Sequence, residues 1–426
     1  MTSNALNKTF IAKSSMMSAA NFIQFILISL IIVAISRFIG REEATQYGMT
    51  LSVYTLTIML PLGLMVWQVS GLAPAIAKLR KIPDQKKQEA RSQLARLNKQ
   101  HHGYTLYTTL ALLVIWLLIL LSFLHLATPQ SSTLWVCLLP IILCSPFKMS
   151  LQAKLQVAQK EKQILWGSLT TSVVKLLLTY LYLSLLSQAV PHPYILAPIG
   201  VIISLLDFVL LNYLRHICRS LPQEFSEQDK NSDVKIKLSI IKKIFFGSID
   251  GIVFASTFTL AILAASQSSP RDGFLITLVV SIMRIIVIPS KQFGLVGGRM
   301  SAMGQISGIK TVIVSSLVAL STIALIIIPF YTLTASTAVP VSIILLMAIQ
   351  VALEPCSGVL YGFIKVRYGP EKGVWGLFLS YLALAIPGLI ILMALEISTA
   401  ENVWLLLFLS RLVFTASVIT TLRKNQ

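Results

Sequence analysis

Six ionisable side chains lie inside long apolar stretches of this sequence, and they are the residues best placed to do chemistry. They are Lys175, Asp207, Asp250, Arg284, Glu354 and Arg411. An isolated charge in hydrocarbon costs at least about 2.5–3.5 kcal/mol, so such side chains normally face a cavity or a partner. Carboxylates there can bind and release a cation, and guanidinium groups can hold a carboxylate or phosphate through two hydrogen bonds. The set predicts a path for ions or charged solutes.

Asp250 and Glu354 are the predicted ion-coupling residues. Asp250 lies between Gly247 and Gly251, small residues that suit close helix packing. An acid that titrates as a cavity changes access couples transport to H⁺ or Na⁺. The alternative is that both acids are structural partners of nearby arginines.

Five further residues are predicted to bind substrate: Arg284, Arg411, Gln350, Lys175 and Asp207. The two arginines suit an anionic group on the substrate. Gln350 precedes Glu354 by four residues, so the two share a helical face. Lys175 and Asp207 lie at similar depth on consecutive antiparallel segments, which predicts an ion pair. That pair could equally be purely structural.

Twelve apolar segments must position these residues. They run roughly over 15–36, 49–76, 104–127, 133–150, 164–187, 194–214, 244–266, 273–292, 311–333, 340–364, 374–395 and 403–422. About 20 apolar residues suffice to cross the hydrocarbon core as a helix. The sequence therefore predicts an all-α integral membrane protein with twelve transmembrane helices.

The basic residues predict the orientation of these helices. If both termini are cytoplasmic, 29 of the 35 Lys and Arg residues fall on the cytoplasmic side. Only Arg37, Arg41 and Arg271 fall outside, and three more lie within the spans. Cytoplasmic loops of membrane proteins carry this excess of basic residues. We therefore expect a multi-pass protein of the cell (inner) membrane. Its net charge of +19 reflects a basic cytoplasmic face, which lies next to anionic lipids, and we do not expect it to bind nucleic acid.

The least hydrophobic stretch of the chain divides it into two predicted lobes. Residues 1–214 form an N-terminal six-helix lobe, residues 215–243 a cytoplasmic linker and residues 244–426 a C-terminal six-helix lobe. Because each lobe has an even number of spans, both enter the membrane from the same side. This arrangement predicts a parallel repeat about an axis along the membrane normal.

Two anchors support that repeat. Pro146 and Pro355 are 209 positions apart, and Trp166 and Trp375 are separated by the same interval. The two prolines lie in the fourth and tenth predicted spans. The two tryptophans lie at the starts of the fifth and eleventh spans.

Several kinds of chemistry have no motif in this sequence. It contains no GxxxxGK[ST] phosphate loop, no HExxH and no CxxC, and its four cysteines are scattered. We therefore expect neither an enzyme nor a bound metal or cofactor, and a coupling ion, H⁺ or Na⁺, in their place.

Two stretches resemble the multidrug and toxic compound extrusion (MATE) family. EPCSGVLYGFIKVRYGPEKGVWGLFLSYLALAIPG at 354–388 is similar to the tenth and eleventh helices of that family, and LPLGLMVWQVSGLAPAIAKLRK at 60–81 to its second helix. The wider superfamily includes flippases for lipid-linked oligosaccharides and lipid II, and the progressive ankylosis proteins. The stretch IPSKQFGLVGGRMSAM at 288–303 resembles the last group, which is associated with export of small anions.

The resemblance implies two six-helix lobes in a V, alternating access, and export driven by a Na⁺ or proton gradient. It also implies that Asp250 lies near the cation-coupling carboxylate of the second lobe. The sequence departs from the family at residues 21–40, which lack the aspartate that many members carry in the first helix.

Three functions follow as hypotheses. The first is an antiporter, of the multidrug-efflux type, that exports a small organic molecule with an anionic group and acts as a monomer with membrane lipids as its other partner. The second is a flippase for a lipid-linked glycan or another phosphate-bearing lipid, which would show a portal between helices. The third is a non-transporting membrane scaffold, which would show a solid core with every charge paired.

Overall fold

The protein is all-α throughout the part of the chain that the structure describes. The computed structural model describes residues 3–83, 87–126, 128–221, 237–305, 339–369 and 371–425, with a few positions between 309 and 317. We refer to residues 3–221 as the first half and to residues 237–425 as the second half.

The first half contains seven helices. They are α1 (Ser3–Phe38), α2 (Arg41–Lys81), α3 (Lys87–Leu126), α4 (Pro129–Cys137), α5 (Leu139–Val157), α6 (Glu161–Leu181) and α7 (Ala197–Arg219). Helix α6 continues into a π-helical turn at Tyr182–Leu186. Thr128 caps α4, because its side chain accepts a hydrogen bond from the Ser131 amide and Pro129 occupies the first turn. Helices α4 and α5 meet at an angle of 41°, a geometry found both in broken spans and in re-entrant loops.

Seven further helices are described in the second half, leaving aside residues 306–338. They are α8 (Leu238–Ser268), α9 (Pro270–Ala302), α10 (Val341–Leu353), α11 (Leu360–Arg367), α12 (Val374–Leu377), α13 (Ile386–Ala394) and α14 (Ala400–Asn425). A π-helical turn at Pro355–Val359 joins α10 to α11, and another at Phe378–Ala385 joins α12 to α13. Ser269 caps α9 by accepting a hydrogen bond from the Asp272 amide at 3.0 Å.

The described helices confirm a multi-pass membrane protein. Nine of them, counted with their π-helical continuations, are long and apolar enough to cross a membrane, and the number is ten if the bent pair α4–α5 is counted as one span. The first predicted span lies within α1, and the ninth, 311–333, falls almost wholly outside the described residues. Several helices run well beyond their predicted ends. Helix α2 has 41 residues and so measures about 60 Å, twice the thickness of the hydrocarbon core.

Helical structure also enters the predicted linker. Helix α7 runs to Arg219 and α8 begins at Leu238, so the linker of 215–243 is helical at both ends. Residues 222–236 lie outside the described part of the chain. We call the end of the bundle that carries Arg219, Lys237 and Arg367 the basic end. The sequence predicts that this end is cytoplasmic.

The two halves pack against each other along α2 and α8 and along α1 and α9. The backbones of α2 and α8 come very close where Gly63 meets Gly247. A Cβ atom on Gly63 would lie 2.3 Å from the carbonyl oxygen of Ile244, and one on Gly247 would lie 2.9 Å from that of Gly63. No side chain fits at this crossing, so glycine is required for the contact.

Candidate functional site

A cavity of about 130 Å³ lies between the two halves. The first half contributes Thr55 and Met59 of α2, among others. The second half contributes most of the charged and aromatic side chains. These are Asp250, Phe254 and Phe258 of α8, Arg284 and Lys291 of α9, Tyr361 of α11, and Arg411 and Phe414 of α14. The cavity is smaller than a typical ligand pocket of about 300–1,000 Å³, so the halves must separate to admit a drug-sized molecule.

Asp250 is fully buried and is held by two lysines from other helices. One carboxylate oxygen accepts a hydrogen bond from Lys291 of α9, and the other accepts one from Lys365 of α11 at 2.6 Å. Lys365 Nζ also donates to the carbonyl oxygen of Gly247 at 2.6 Å, one turn before Asp250. We call Asp250, Lys291 and Lys365 the cavity cluster. Three helices are joined at this point by charge-assisted hydrogen bonds, which are stronger than neutral ones.

Glu354 forms a second buried ion pair beside the cavity cluster. Its carboxylate accepts hydrogen bonds from Arg411 and, at 3.1 Å, from Ser290 Oγ. It lies where α10 gives way to the π-helical turn. A Cβ atom on Gly358 would be 2.4 Å from Glu354 Oε2, so only glycine leaves room for the carboxylate there. The guanidinium of Arg411 also lies 5.4 Å from the ring centre of Phe254, a cation–π contact that favours its charged form.

Arg284 is buried in the cavity wall without an acidic partner among the described residues. Its side chain donates to Ser52 Oγ of α2 at 3.0 Å, and its guanidinium lies 5.7 Å from the ring centre of Phe258. The residue is only 4% exposed. A neutral hydroxyl and an aromatic ring leave its charge uncompensated.

The described charges around the cavity do not balance. Two acids, Asp250 and Glu354, face four cations in this part of the structure. The cations are Arg284, Lys291, Lys365 and Arg411. The site therefore carries two excess positive charges, and its potential favours an anion over a cation.

The predicted pair of Lys175 and Asp207 is confirmed, and a third residue joins it. Asp207 of α7 accepts hydrogen bonds from Lys175 of α6 and from Lys148 of α5. We call these three residues the peripheral cluster, because none of them lines the central cavity. The structure thus does not bring Lys175 and Asp207 together with the arginines.

Gln350 lies on α10, one turn before Glu354, as its spacing predicts. It is buried, and its Oε1 accepts no hydrogen bond from the described residues. It does not line the cavity directly. It shares a helical face with Glu354, four residues later.

The halves are also joined at the basic end by a buried ion pair. Arg299 of α9 donates to Glu161 Oε1 of α6 and to the carbonyl oxygen of Gln156, each at 2.6 Å. The side chains of Arg299 and Glu161 are 1% and 2% exposed. This contact joins the two halves about two turns beyond Lys291 on α9, and the sequence did not indicate it.

Sequence reasoning missed the three lysines that hold the aspartates. Lys148, Lys291 and Lys365 come at or just past the predicted ends of their spans, where lysines usually reach for water. The helices continue beyond those ends, so the three side chains lie within the bundle instead. If each predicted span had been extended to the next helix-breaking residue, the three lysines would have been placed within helices of the bundle.

Among the described residues, no group of three or more His, Cys, Asp or Glu side chains could hold a metal ion. The two acids of the site are each engaged with cations.

Solved structures of transporters superpose on this chain over nearly its full length. No protein-family model matches the sequence, and no curated protein matches it. The eukaryotic MATE transporter AtDTX14 superposes with a TM-score of 0.71 at 13% identity, covering 98% of this chain and 96% of the other. A MATE in complex with Br-NRF gives a TM-score of 0.66 at 14% identity, with the same coverage.

A third structure is a superfamily relative of those transporters. It is a MOP superfamily transporter from Pyrococcus furiosus, with a TM-score of 0.64, 13% identity and coverage of 98% and 96%. It is described as having a binding pocket of reverse polarity that suggests a different function. At these identities the likenesses establish the fold.

Proposed function

We propose that this chain, which has the fold of MATE and other MOP superfamily transporters, is a member of that superfamily and a secondary antiporter. It would export a small organic molecule with an anionic group, by alternating access driven by a proton or Na⁺ gradient. The fold, the membrane-spanning helices and a charged cavity between two halves support this proposal. We further propose that it works as a monomer in the cell membrane with both termini cytoplasmic.

The observation that carries the proposal is the uncompensated charge of Arg284. Leaving a buried charge without a partner costs about 3–5 kcal/mol, which a bound carboxylate or phosphate would recover. A guanidinium can bind either group through two parallel hydrogen bonds. Neighbouring Phe258 offers an apolar surface for the rest of the molecule. The reverse polarity described for the Pyrococcus furiosus transporter is a precedent for a change of pocket charge within this fold.

Asp250 and Glu354 are our candidates for ion coupling. In the described conformation both carboxylates are bound to lysine or arginine, so a cation can bind only after those pairs open. Cation binding and anion binding would then belong to different conformations, as exchange transport requires. Arg411 and Gln350 would contribute to substrate binding when the Glu354–Arg411 pair opens.

Lys175 and Asp207 have the weakest support as substrate residues. They would contact a substrate only if the cavity extends into the first half in another conformation. Their present contacts favour the structural alternative, an ion pair that fixes the packing of α6 and α7.

A flippase for a phosphate-bearing lipid is the second candidate, because the same cation excess would suit a phosphate group. The cavity must open to admit either kind of substrate, so its volume does not choose between them, and the vesicle experiment below does. The scaffold hypothesis requires every charge to be paired, and Arg284 does not fit that requirement.

Transport in reconstituted vesicles tests the proposal. The substrates are a panel of anionic and cationic fluorescent dyes and a fluorescent phospholipid, each measured with an imposed proton or Na⁺ gradient. We expect uphill export of at least one anionic dye, and loss of that export in Arg284→Ala. Arg271→Ala, which removes an arginine at the opposite end of α9, is the matched control and should transport like the parent.

Three outcomes would contradict the proposal. One is transport of only cationic dyes, and another is full anion transport by Arg284→Ala. Movement of the phospholipid alone, with no dye transported, would favour the flippase.

A further inference from the structure

Two buried side chains of the central cavity need opposite kinds of hydrogen-bond partner. One is Arg284, whose guanidinium has no acidic partner among the described residues. The other is Gln292, which is 5% exposed and lines the same cavity. Its side-chain oxygen Oε1 accepts no hydrogen bond from any described residue. Arg284 therefore requires a negatively charged acceptor, whereas Gln292 requires a donor such as an O–H or N–H group.

The spacing between these two side chains is set by a single helix. Arg284 and Gln292 both belong to α9, which is continuous over Pro270–Ala302. They are eight residues apart, so they are separated by about 12 Å along the helix axis. Because α9 lies wholly in the second half, this spacing persists when the two halves separate to admit a ligand.

The surface between the two side chains is aromatic. Phe258 and Phe254 of α8 line the cavity there, and Phe258 lies 5.7 Å from the guanidinium of Arg284. The two ring centres are 6.4 Å apart and the ring planes are inclined by only 20°, so the rings form a nearly flat wall. At the far end of this wall, Asp250 binds the lysine that precedes Gln292. A flat apolar body can therefore lie on the wall between the two polar groups.

We infer that the substrate is an elongated aromatic acid with a hydroxyl or N–H group at the end remote from its acidic group. The acidic group binds Arg284, and the aromatic body lies on Phe258 and Phe254. The remote group donates a hydrogen bond to Gln292 Oε1. This inference rests on the proposed function, because it takes the central cavity as the transport site. It goes further in naming the length, the aromatic body and the donor of the substrate.

Equilibrium binding of matched probes to the purified full-length protein tests this inference. The first probe is a biphenyl carboxylate with a hydroxyl group at the end opposite the carboxylate. The second is its methoxy analogue, which has the same acid and rings but cannot donate a hydrogen bond. Isothermal titration in detergent measures both affinities. We expect the hydroxy acid to bind roughly tenfold more tightly, because its hydroxyl satisfies a buried acceptor that the methoxy group leaves unpaired.

A pair of one-ring probes tests the length of the site. The pair is para-hydroxybenzoate and para-methoxybenzoate. A single ring is too short to reach Gln292 while its carboxylate is bound to Arg284. The hydroxyl group should therefore give no gain in affinity in this pair.

Matched variants test the role of Gln292. Gln292→Met removes the acceptor and keeps an unbranched side chain, so the tenfold preference for the hydroxy acid should disappear. Gln68→Met is the control, because Gln68 is also buried with an unpaired Oε1 but does not line the central cavity. It should keep the preference of the parent. Any difference in how the probes partition into detergent is common to all three proteins and cancels in this comparison.

Three results would overturn the inference. Equal affinity of the parent for the two biphenyl probes would show that no donor is recognised, and this result needs no variant. A preference that survives in Gln292→Met would place the acceptor elsewhere, for example on Gln24 in the cavity wall of the first half. A tenfold preference in the one-ring pair would show that length is not recognised. In all three cases acids still bind and the proposed function stands, whereas binding of no acid by the parent would contradict both.

Discussion

The two halves of this protein each bury one aspartate between two lysines, yet the surroundings of these clusters differ. The peripheral cluster joins α5, α6 and α7 away from the central cavity. The cavity cluster joins α8, α9 and α11, with Asp250 and Lys291 lining the cavity. Each carries one excess positive charge, so their composition does not distinguish them.

Neighbouring groups make the difference. The cavity cluster lies beside a second ion pair and beside Arg284, whose charge has no acidic partner in the described residues. The peripheral cluster has no such neighbours, because none of its three residues lines the cavity. A buried ion pair is therefore evidence of function only when it adjoins a space that a ligand can enter.

The largest expected effect comes from removing each aspartate. Asp250→Ala and Asp207→Ala each leave two buried lysines without an acid, which should lower the free energy of unfolding by about 3–5 kcal/mol in both variants. Transport per folded molecule should be abolished only in Asp250→Ala. Thermal unfolding in detergent and transport by the inserted fraction in vesicles measure the two effects. Loss of transport in folded Asp207→Ala would show that both clusters are functional.

A smaller effect is expected from removing the ion pair that joins the two halves at the basic end, which should make the cavity more accessible. Arg299→Gln removes two charged hydrogen bonds between the halves. Each is worth about 1.5–3 kcal/mol, so access to the cavity should increase at least about tenfold. The reporter is a single cysteine at Ala255, in the cavity wall, placed in a background without the four native cysteines. The rate of its modification by a water-soluble maleimide should rise.

A reporter cysteine at Ser204 provides the control for this measurement. Ser204 lies on α7 one turn before Asp207, next to the peripheral cluster, so its modification should stay unchanged in Arg299→Gln. Faster modification at both positions would indicate general loosening, and the comparison between the clusters would then fail.

The smallest expected effect is a change in anion affinity that differs between the two clusters. Lys365→Met leaves Asp250 paired with Lys291 but lowers the positive excess of the cavity by one. We expect anion binding to weaken roughly tenfold, about 1.4 kcal/mol. Lys175→Met makes the equivalent change in the peripheral cluster and should leave affinity unchanged. Isothermal titration with a transported anion measures both, and equal weakening would contradict a local role for the cavity charge.

Sequence patterns predicted the membrane fold well because hydrophobic length and charge asymmetry are local properties. The ion pair of Lys175 with Asp207 was also predictable, since consecutive antiparallel helices keep residues of equal depth close together. The partners of Asp250 were missed for two different reasons. Lys291 lies on the next helix, α9, but was placed at the end of its predicted span. Lys365 lies 115 positions away, on α11. Their position depends on how α9 and α11 cross.

That crossing is set by tertiary contacts that no local pattern reports. A Cβ atom on Gly294 would lie 2.0 Å from the carbonyl oxygen of Val359, so the two backbones are in close contact there. The π-helical turn at Pro355–Val359 also shifts the helical register just before Lys365. The hydrogen bond from Arg284 to Ser52 joins residues 232 positions apart across the two halves. A prediction made from the residue pattern of a single helix cannot detect this hydrogen bond.

Trp166 and Trp375, the tryptophans that mark the internal repeat, have a mechanical consequence. Both are strongly exposed, at 54% and 78%, and both lie near the basic end, one in each half. Indole rings prefer the head-group layer, where they keep a helix at fixed height in the bilayer. Because each half has one such interfacial tryptophan, we expect neither half to move along the membrane normal relative to the other. The permitted motion is a tilt about the level of the two rings, which opens one face of the membrane as it narrows the other.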